Sequence, residues 1–234
     1  FFDNMYLNYA LTIIWVVGIM NSINMLDNMD GITGIVSFFI LLTAGASLFL
    51  YNVLASPYLF IIIGVIGALI GFLRFNWHPS KMYMGDTGSQ FLGVLLAIVS
   101  IRFFWNGIDC SHFISPARQV LIVALVFILP LTDTLTVIIK RLSKGTSPFV
   151  GGRDHTTHHL SYLLKSDQKV AWIYTFISII SSSLALHLIT YSGPLSTLKI
   201  TLYITYIFVI FATLFIIASI KKEKLEACGV KQSS

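Results

Sequence analysis

Apolar stretches of about 20 residues, long enough to cross a bilayer as a helix, recur along the chain. They run roughly over Leu7–Leu26, Ile32–Tyr51, Pro57–Phe75, Gln90–Trp105, Ala117–Ile139, Val170–Ile189 and Leu198–Ile220. Polar residues gather between these stretches instead of alternating within them, so the pattern predicts helices and not half-buried strands. The expected fold is all-α, a polytopic integral membrane helical bundle with about seven spans. None of the stretches has the layout of a cleavable signal peptide. Residue 1 is Phe and the first stretch follows almost at once, which predicts a C-terminal piece of a longer protein whose N-terminal spans are missing.

Composition agrees with a membrane protein. The chain is 56% hydrophobic and only 11% charged, with a mean hydropathy of +0.84, whereas a soluble domain has about 25% charged residues. Its net charge of +5 would raise the question of nucleic acid in a soluble chain; here topology accounts for it, and no nucleic-acid partner is indicated. If the first stretch ends inside, the connections near residues 74–89 and 140–169 and the segment after 220 share one side. They carry Arg74, Lys81, Lys140, Arg141, Lys144, Arg153, Lys165, Lys169, Lys221, Lys222, Lys224 and Lys231, twelve of the fifteen Lys and Arg. The positive-inside rule makes that side cytoplasmic. Cys110 and Cys228 then fall on opposite faces and cannot pair within one chain.

Two acidic turns sit where one apolar stretch gives way to the next. In Asn21-x-x-Asn24-x-x-Asp27-x-x-Asp30-Gly31 the three-residue step predicts four polar side chains along one flank of a helix end. Hard oxygen donors of this kind suit magnesium; a polar helix interface is the plainer alternative. Met84-Gly85-Asp86-Thr87-Gly88-Ser89 reads as a turn opening a helix, where free N–H groups favour an anion and Asp86 can hold the metal that bridges it. Tyr83 just ahead offers an aromatic face, for stacking or for interfacial anchoring. A third element, Gly151-Gly152-Arg153-Asp154-His155-Thr156-Thr157-His158-His159, lies in a cytoplasmic loop expected over 140–169. Its His and Arg cluster can grip phosphate, bind zinc or simply be solvated, and the lack of Cys favours phosphate. Asp133, shortly after Pro130 inside an apolar stretch, must be paired or face a polar cavity, and Pro130 loosens the helix there. His78, His112 and His187 stand alone and receive no role.

Together these residues resemble the polyprenyl-phosphate N-acetylhexosamine-1-phosphate transferases, glycosyltransferase family 4, which include undecaprenyl-phosphate GlcNAc-1-phosphate transferase. The matching pieces are N-x-x-N-x-x-D-x-x-D-G at Asn21–Gly31, M-G-D-x-G-S at Met84–Ser89, P-x-x-D-T at Pro130–Thr134 and R-D-H-x-x-H-H-L at Arg153–Leu160. The resemblance covers essentially the whole chain and implies one membrane transferase domain over residues 1–234, multi-pass in the inner (cell) membrane with a cytoplasmic active site. An upstream Asp-Asp motif of the family has no counterpart here. The implied reaction transfers N-acetylhexosamine 1-phosphate from a UDP-N-acetylhexosamine to a polyprenyl phosphate lipid with release of UMP, starting a cell-envelope glycan. By similarity Asp86 and Asn24 would hold Mg²⁺, or Mn²⁺ in its place. Asp86, Asp27 and Asp30 would be the catalytic acids; Asp30 and Tyr83 would face the uracil; Arg153, His155, His158 and His159 would grip phosphates; Asn21 would complete the polar wall. A homodimer is left open. The rival readings are a transporter, since polar residues in apolar helices also mark ion paths, and a zinc enzyme built on the histidines.

The topology is testable by cysteine labelling. Residues substituted for Ser147 and Ser234 should react from the cytoplasm, and those for Ser111 and Ser192 from the opposite side; labelling of positions 147 and 192 from one side would overturn the arrangement.

Overall fold

The structure, a computed structural model, describes residues 4–107, 115–147, 152 and 154–220. Arg153, Cys110, Cys228, His112 and the lysines after residue 220 lie outside the described residues. The described residues form nine α-helices: α1 (Met5–Leu26), α2 (Ile32–Leu50), α3 (Pro57–Asn76), α4 (Gly85–Ser100), α5 (Pro116–Val126), α6 (Ile128–Ser143), α7 (Thr156–Leu164), α8 (Asp167–Thr190) and α9 (Thr197–Ser219). α4 runs on into a π-helical turn, Ile101–Trp105.

Several helices start where local chemistry takes up the unpaired first-turn N–H groups. The Asn4 side chain accepts from the N–H groups of Tyr6 and Leu7 at 3.0 and 3.2 Å, and the hydroxyls of Ser166 and Ser196 accept from Lys169 and Lys199. Pro57 and Pro116 occupy the first turns of α3 and α5, where a missing N–H costs nothing.

Six helices are long and apolar enough to cross a membrane: α1, α2, α3, α4 with its π turn, α8 and α9. The chain is a multi-span membrane protein. The stretch expected as one span over Ala117–Ile139 is instead broken: α5 and α6 meet at an 80° bend and make a seventh span only if taken together. Pro130 is the local cause. It has no N–H to give the carbonyl of Val126, and its ring crowds that carbonyl, so the helix interrupts at Phe127 (φ −101°, ψ 20°). The 140–169 segment likewise differs from a plain loop, because it holds the end of α6, all of α7 and the first turn of α8.

Contacts between connections confirm a two-ended bundle. At one end the 27–31 turn meets the 77–84 connection through Asp30 and His78, and it meets α7 through Asn28 and Thr157. At the other, the Tyr51 hydroxyl donates to the Ile189 carbonyl at 2.6 Å and Arg118 donates to the Tyr191 carbonyl at 2.6 Å. Large apolar side chains such as Ile13, Phe60 and Phe208 point outward from α1, α3 and α9, as lipid-facing positions should.

The closest packing is between α1 and α4. A Cβ added at Gly93 would lie 2.7 Å from the Met20 Cα and 3.1 Å from its carbonyl oxygen, so the backbones touch where a side chain is absent. The helices run antiparallel, and the same register brings Asn24 to Ser89 at 2.8 Å and, toward the far end, the Trp15 indole N–H to the Ser100 hydroxyl at 2.7 Å. We predict that Gly93→Ala, forced against backbone instead of a pliable side chain, lowers thermal stability by about 1–3 kcal/mol. An unchanged melting temperature of the detergent-purified protein would refute this close approach.

Candidate functional site

The acidic centre is built by α1, its C-terminal turn and the first turn of α4. Asn24 projects from the last turn of α1, and its Nδ2 donates both to Ser89 Oγ at 2.8 Å and to Asp86 Oδ1 at 3.3 Å. With its nitrogen spent on these oxygens, the amide oxygen is the atom of Asn24 able to ligate a cation. Asp27 caps α1 from beyond its last residue. Burial raises its carboxyl above the ordinary value, the Thr33 hydroxyl opposes this, and the negative charge of Asp86 adds to the rise. Asp86 is exposed at the opening of α4. The two carboxylates thus repel each other with Asp86 open to solvent, an arrangement a divalent cation would relieve.

Asp30 sits differently from its neighbours in the motif. Its Oδ2 accepts the Ser80 N–H at 3.1 Å and lies 3.0 Å from His78 Nδ1, so it fastens the 77–84 connection. Buried Asn76 helps: its Oδ1 accepts the Gly31 N–H at 2.9 Å and its Nδ2 donates to the Met82 carbonyl at 2.7 Å. Gly31 (φ +76°) takes a conformation that favours glycine. These bonds hold the stretch of chain that carries Tyr83, which is 77% exposed three residues before Asp86.

The histidine segment closes the site. Thr157 donates from its hydroxyl to Asn28 Oδ1 at 2.5 Å, docking α7 on the acidic turn. His155 is buried, with Nδ1 2.8 Å from Asp133 Oδ2, and its ring lies edge to face with that of His158. His159 has its Nε2 3.4 Å from Lys140 Nζ. Burial, reinforced by the Lys140 charge, pulls His159 down to about 4, so this imidazole is neutral at pH 7 and Lys140 carries the positive charge there. Lys140 also donates to the Ala218 carbonyl at the end of α9. Arg141 and Lys144 flank Asp154, 3.5 and 3.8 Å away. Burial pushes the Asp154 carboxyl up, but Lys144, Lys140 and Arg141 outweigh it and hold the group below the usual carboxylate range.

The structure therefore brings Asn24, Asp27 and Asp86 together, with Tyr83 at the rim and His155, His158 and His159 on the adjoining helix. Asn21 is set apart: it is exposed and donates to the Val17 carbonyl of its own helix. The three-residue step drifts about 60° per repeat around a helix, which separates Asn21 from Asp27. Arg153 lies outside the described residues. Sequence reasoning assigned no role to Asn28, Asn76 or His78. Asn28 and Asn76 are polar residues at helix ends beside acidic turns, which was their one available signal. Among the described residues no three His, Cys, Asp or Glu side chains converge on a metal position. Two carboxylates and an amide oxygen suit Mg²⁺, which commonly takes one or two carboxylates and completes its shell with phosphate and water; a structural zinc site needs more protein ligands.

Known proteins are similar to this chain. The family model described as glycosyl transferase family 4 matches residues 2–104, which span α1 to α4 and both acidic turns. The chain is 29% identical over 213 residues, 90% of its length, to a probable undecaprenyl-phosphate N-acetylglucosaminyl 1-phosphate transferase of Bacillus subtilis, of which it covers 55%. It is 30% identical over 182 residues, 73% of its length, to a decaprenyl-phosphate N-acetylglucosaminephosphotransferase of Mycolicibacterium smegmatis, covering 45% of that protein. Over 96 residues, 41% of the chain, it is 43% identical to a phospho-N-acetylmuramoyl-pentapeptide-transferase of Streptococcus agalactiae, covering 28% of that protein. The chain spans about half the length of the first two of these curated relatives. The family's model lies over the acidic turns and the likeness to the Bacillus protein continues through the histidine segment, so the chain is similar to glycosyl transferase family 4 at both parts of the site.

Proposed function

We propose that this chain forms the catalytic part of an enzyme that transfers N-acetylhexosamine 1-phosphate from a UDP-sugar to a polyprenyl phosphate at the cytoplasmic face of the cell membrane, using Mg²⁺. The observation that carries the reading is the bridge from Asn24 to Asp86 and Ser89, which sets Asp86 against Asp27 at one end of a membrane-crossing bundle. The relatives' names support the substrate classes. A transporter is not favoured, because the polar groups collect at one end of the bundle instead of midway through it.

In this reading a phosphate oxygen of the lipid forms a bond to the β-phosphorus of the UDP-sugar while the bond from that phosphorus to the bridging oxygen breaks, and UMP leaves with the electron pair. Such a step asks the protein mainly for alignment and charge neutralisation. Asp86, Asp27 and the Asn24 amide oxygen would hold Mg²⁺, which when bound offsets the pyrophosphate charge. Tyr83 presents an open face for the uracil. His158 and Lys140 line the other side and supply N–H donors and positive charge for phosphate oxygens, with His155 beside them. Neutral His159 can donate only one N–H. The fastened Asp30 shapes the wall under the base.

The decisive experiment measures UMP release from UDP-N-acetylglucosamine by the full-length protein with undecaprenyl phosphate and Mg²⁺. Asp86→Asn should lower the rate at least about 100-fold while leaving the protein folded; retention of a third of the rate at saturating Mg²⁺ would exclude Asp86 from the site.

Mg²⁺ should also raise the melting temperature, by about 2.7 kcal/mol of stabilisation at a hundredfold excess over its Kd. That shift should vanish in Asp27→Asn. Because Asp27 has a raised carboxyl value, its ionised form is penalised in the apo fold, so without divalent cations the Asn variant should melt no lower than wild type at pH 7. The sign with pH follows: the Mg²⁺ shift is present while Asp27 is ionised and is lost as pH falls through its folded value, which lies above 3.8. A Mg²⁺ shift of equal size in Asp27→Asn would contradict the carboxylate pair.

A further inference from the structure

Asp133 takes no part in the reading above, yet it is the best-satisfied buried charge near the site. It lies in α6 with 0% exposure. Its Oδ1 accepts the Thr156 N–H at 2.8 Å and the Thr156 hydroxyl at 2.6 Å, while its Oδ2 faces His155 Nδ1 at 2.8 Å. Because the Thr156 hydroxyl donates to Asp133, at 2.7 Å it accepts from the hydroxyl of Tyr174, fully buried in α8. One carboxylate thereby ties α6, α7 and α8 together. It also serves α7 as an N-terminal cap from outside, since His155 at the cap position makes no capping bond with its own side chain.

A carboxylate only accepts, so the imidazole nitrogen facing it must carry a proton. With Nδ1–H committed to Asp133, Nε2 is the nitrogen of His155 left to meet a ligand. We infer that Asp133 is a positioning residue: by binding Nδ1–H of His155 and the first N–H of α7 together, it fixes the tautomer that leaves Nε2 with its lone pair, so that His155 can take the proton of a singly protonated lipid phosphate as its oxygen attacks. This inference rests on the phosphate-handling role given to the histidine segment under the proposed function.

Asp133→Asn is the informative change. The amide oxygen can keep both bonds from Thr156, but its NH₂ then faces His155 Nδ1 and forces that nitrogen to accept, shifting the proton to Nε2. Tyr174→Phe is the control, because it removes a buried hydroxyl from the same network without touching His155. The full-length protein labelled with ¹⁵N-histidine should show His155 as the Nδ1–H form in wild type and in Tyr174→Phe, and as the Nε2–H form in Asp133→Asn. UMP release should fall at least about 100-fold in kcat/KM for Asp133→Asn, the loss that follows when a histidine is held in the wrong tautomer. It should fall less than about 5-fold for Tyr174→Phe, with comparable melting temperatures for the two variants.

An Nε2–H ring in the wild type would overturn the inference even if Asp133→Asn failed to fold. So would an Asp133→Asn rate no lower than that of Tyr174→Phe. The ring signal needs no turnover, so an inactive wild type bearing Nδ1–H His155 would count against the proposed function and leave the Asp133 geometry standing.

Discussion

Contact between the backbones of α1 and α4 at Gly93 and Met20 sets the spacing on which the acidic centre depends. Helices in lipid gain little from burying apolar surface against one another, so close fit and a few hydrogen bonds decide which pairs form. Here the fit needs a position without a side chain, and the bonds fall at both ends of the same seam: Trp15 to Ser100 and Asn24 to Ser89. One seam therefore pins two otherwise remote turns and brings Asp27 within the electrostatic reach of Asp86.

Charge at this end of the bundle is distributed by burial as much as by residue type. Asp27 resists ionisation and His159 resists protonation, whereas Asp154, among three basic side chains, stays ionised. The outcome is an acidic side at the ends of α1 and α4 and a basic side at the C-terminal end of α6, where Lys140, Arg141 and Lys144 gather, with α7 joined to the acidic turn through Asn28 and Thr157. Opposite fields on two walls of one opening suit a ligand that carries a cation on one flank and phosphate oxygens on the other.

Much of this was legible in the sequence, though unevenly. The spans Ile32–Tyr51 and Pro57–Phe75 end within a residue of α2 and α3, because hydropathy measures what lipid selects for. The first acidic turn and the histidine segment, both singled out in the sequence, touch through Asn28 and Thr157. The break between α5 and α6 was visible only as a proline, since a run of apolar residues says how much chain is buried and nothing about its direction. α7 was hidden because nine residues with three buried positions leave no long periodic signal. The partners of Asp133 and Asp30 were out of reach for a different reason. Asp133 and His155 are 22 residues apart and Asp30 and His78 are 48 apart, and spacing rules do not extend across separate helices. The step-of-three run misled at Asn21, where helical drift turned one member away.

The break at Phe127 also bears on where a buried charge can be placed. The eleven residues of α5 advance about 16 Å, roughly half of the about 30 Å of hydrocarbon in a bilayer, before the chain swings aside into α6. Because α6 turns 80° away from that line, its buried Asp133 meets the start of α7 through Thr156 and His155 instead of hydrocarbon. A proline in one helix thus decides which neighbour a charge three residues later can reach.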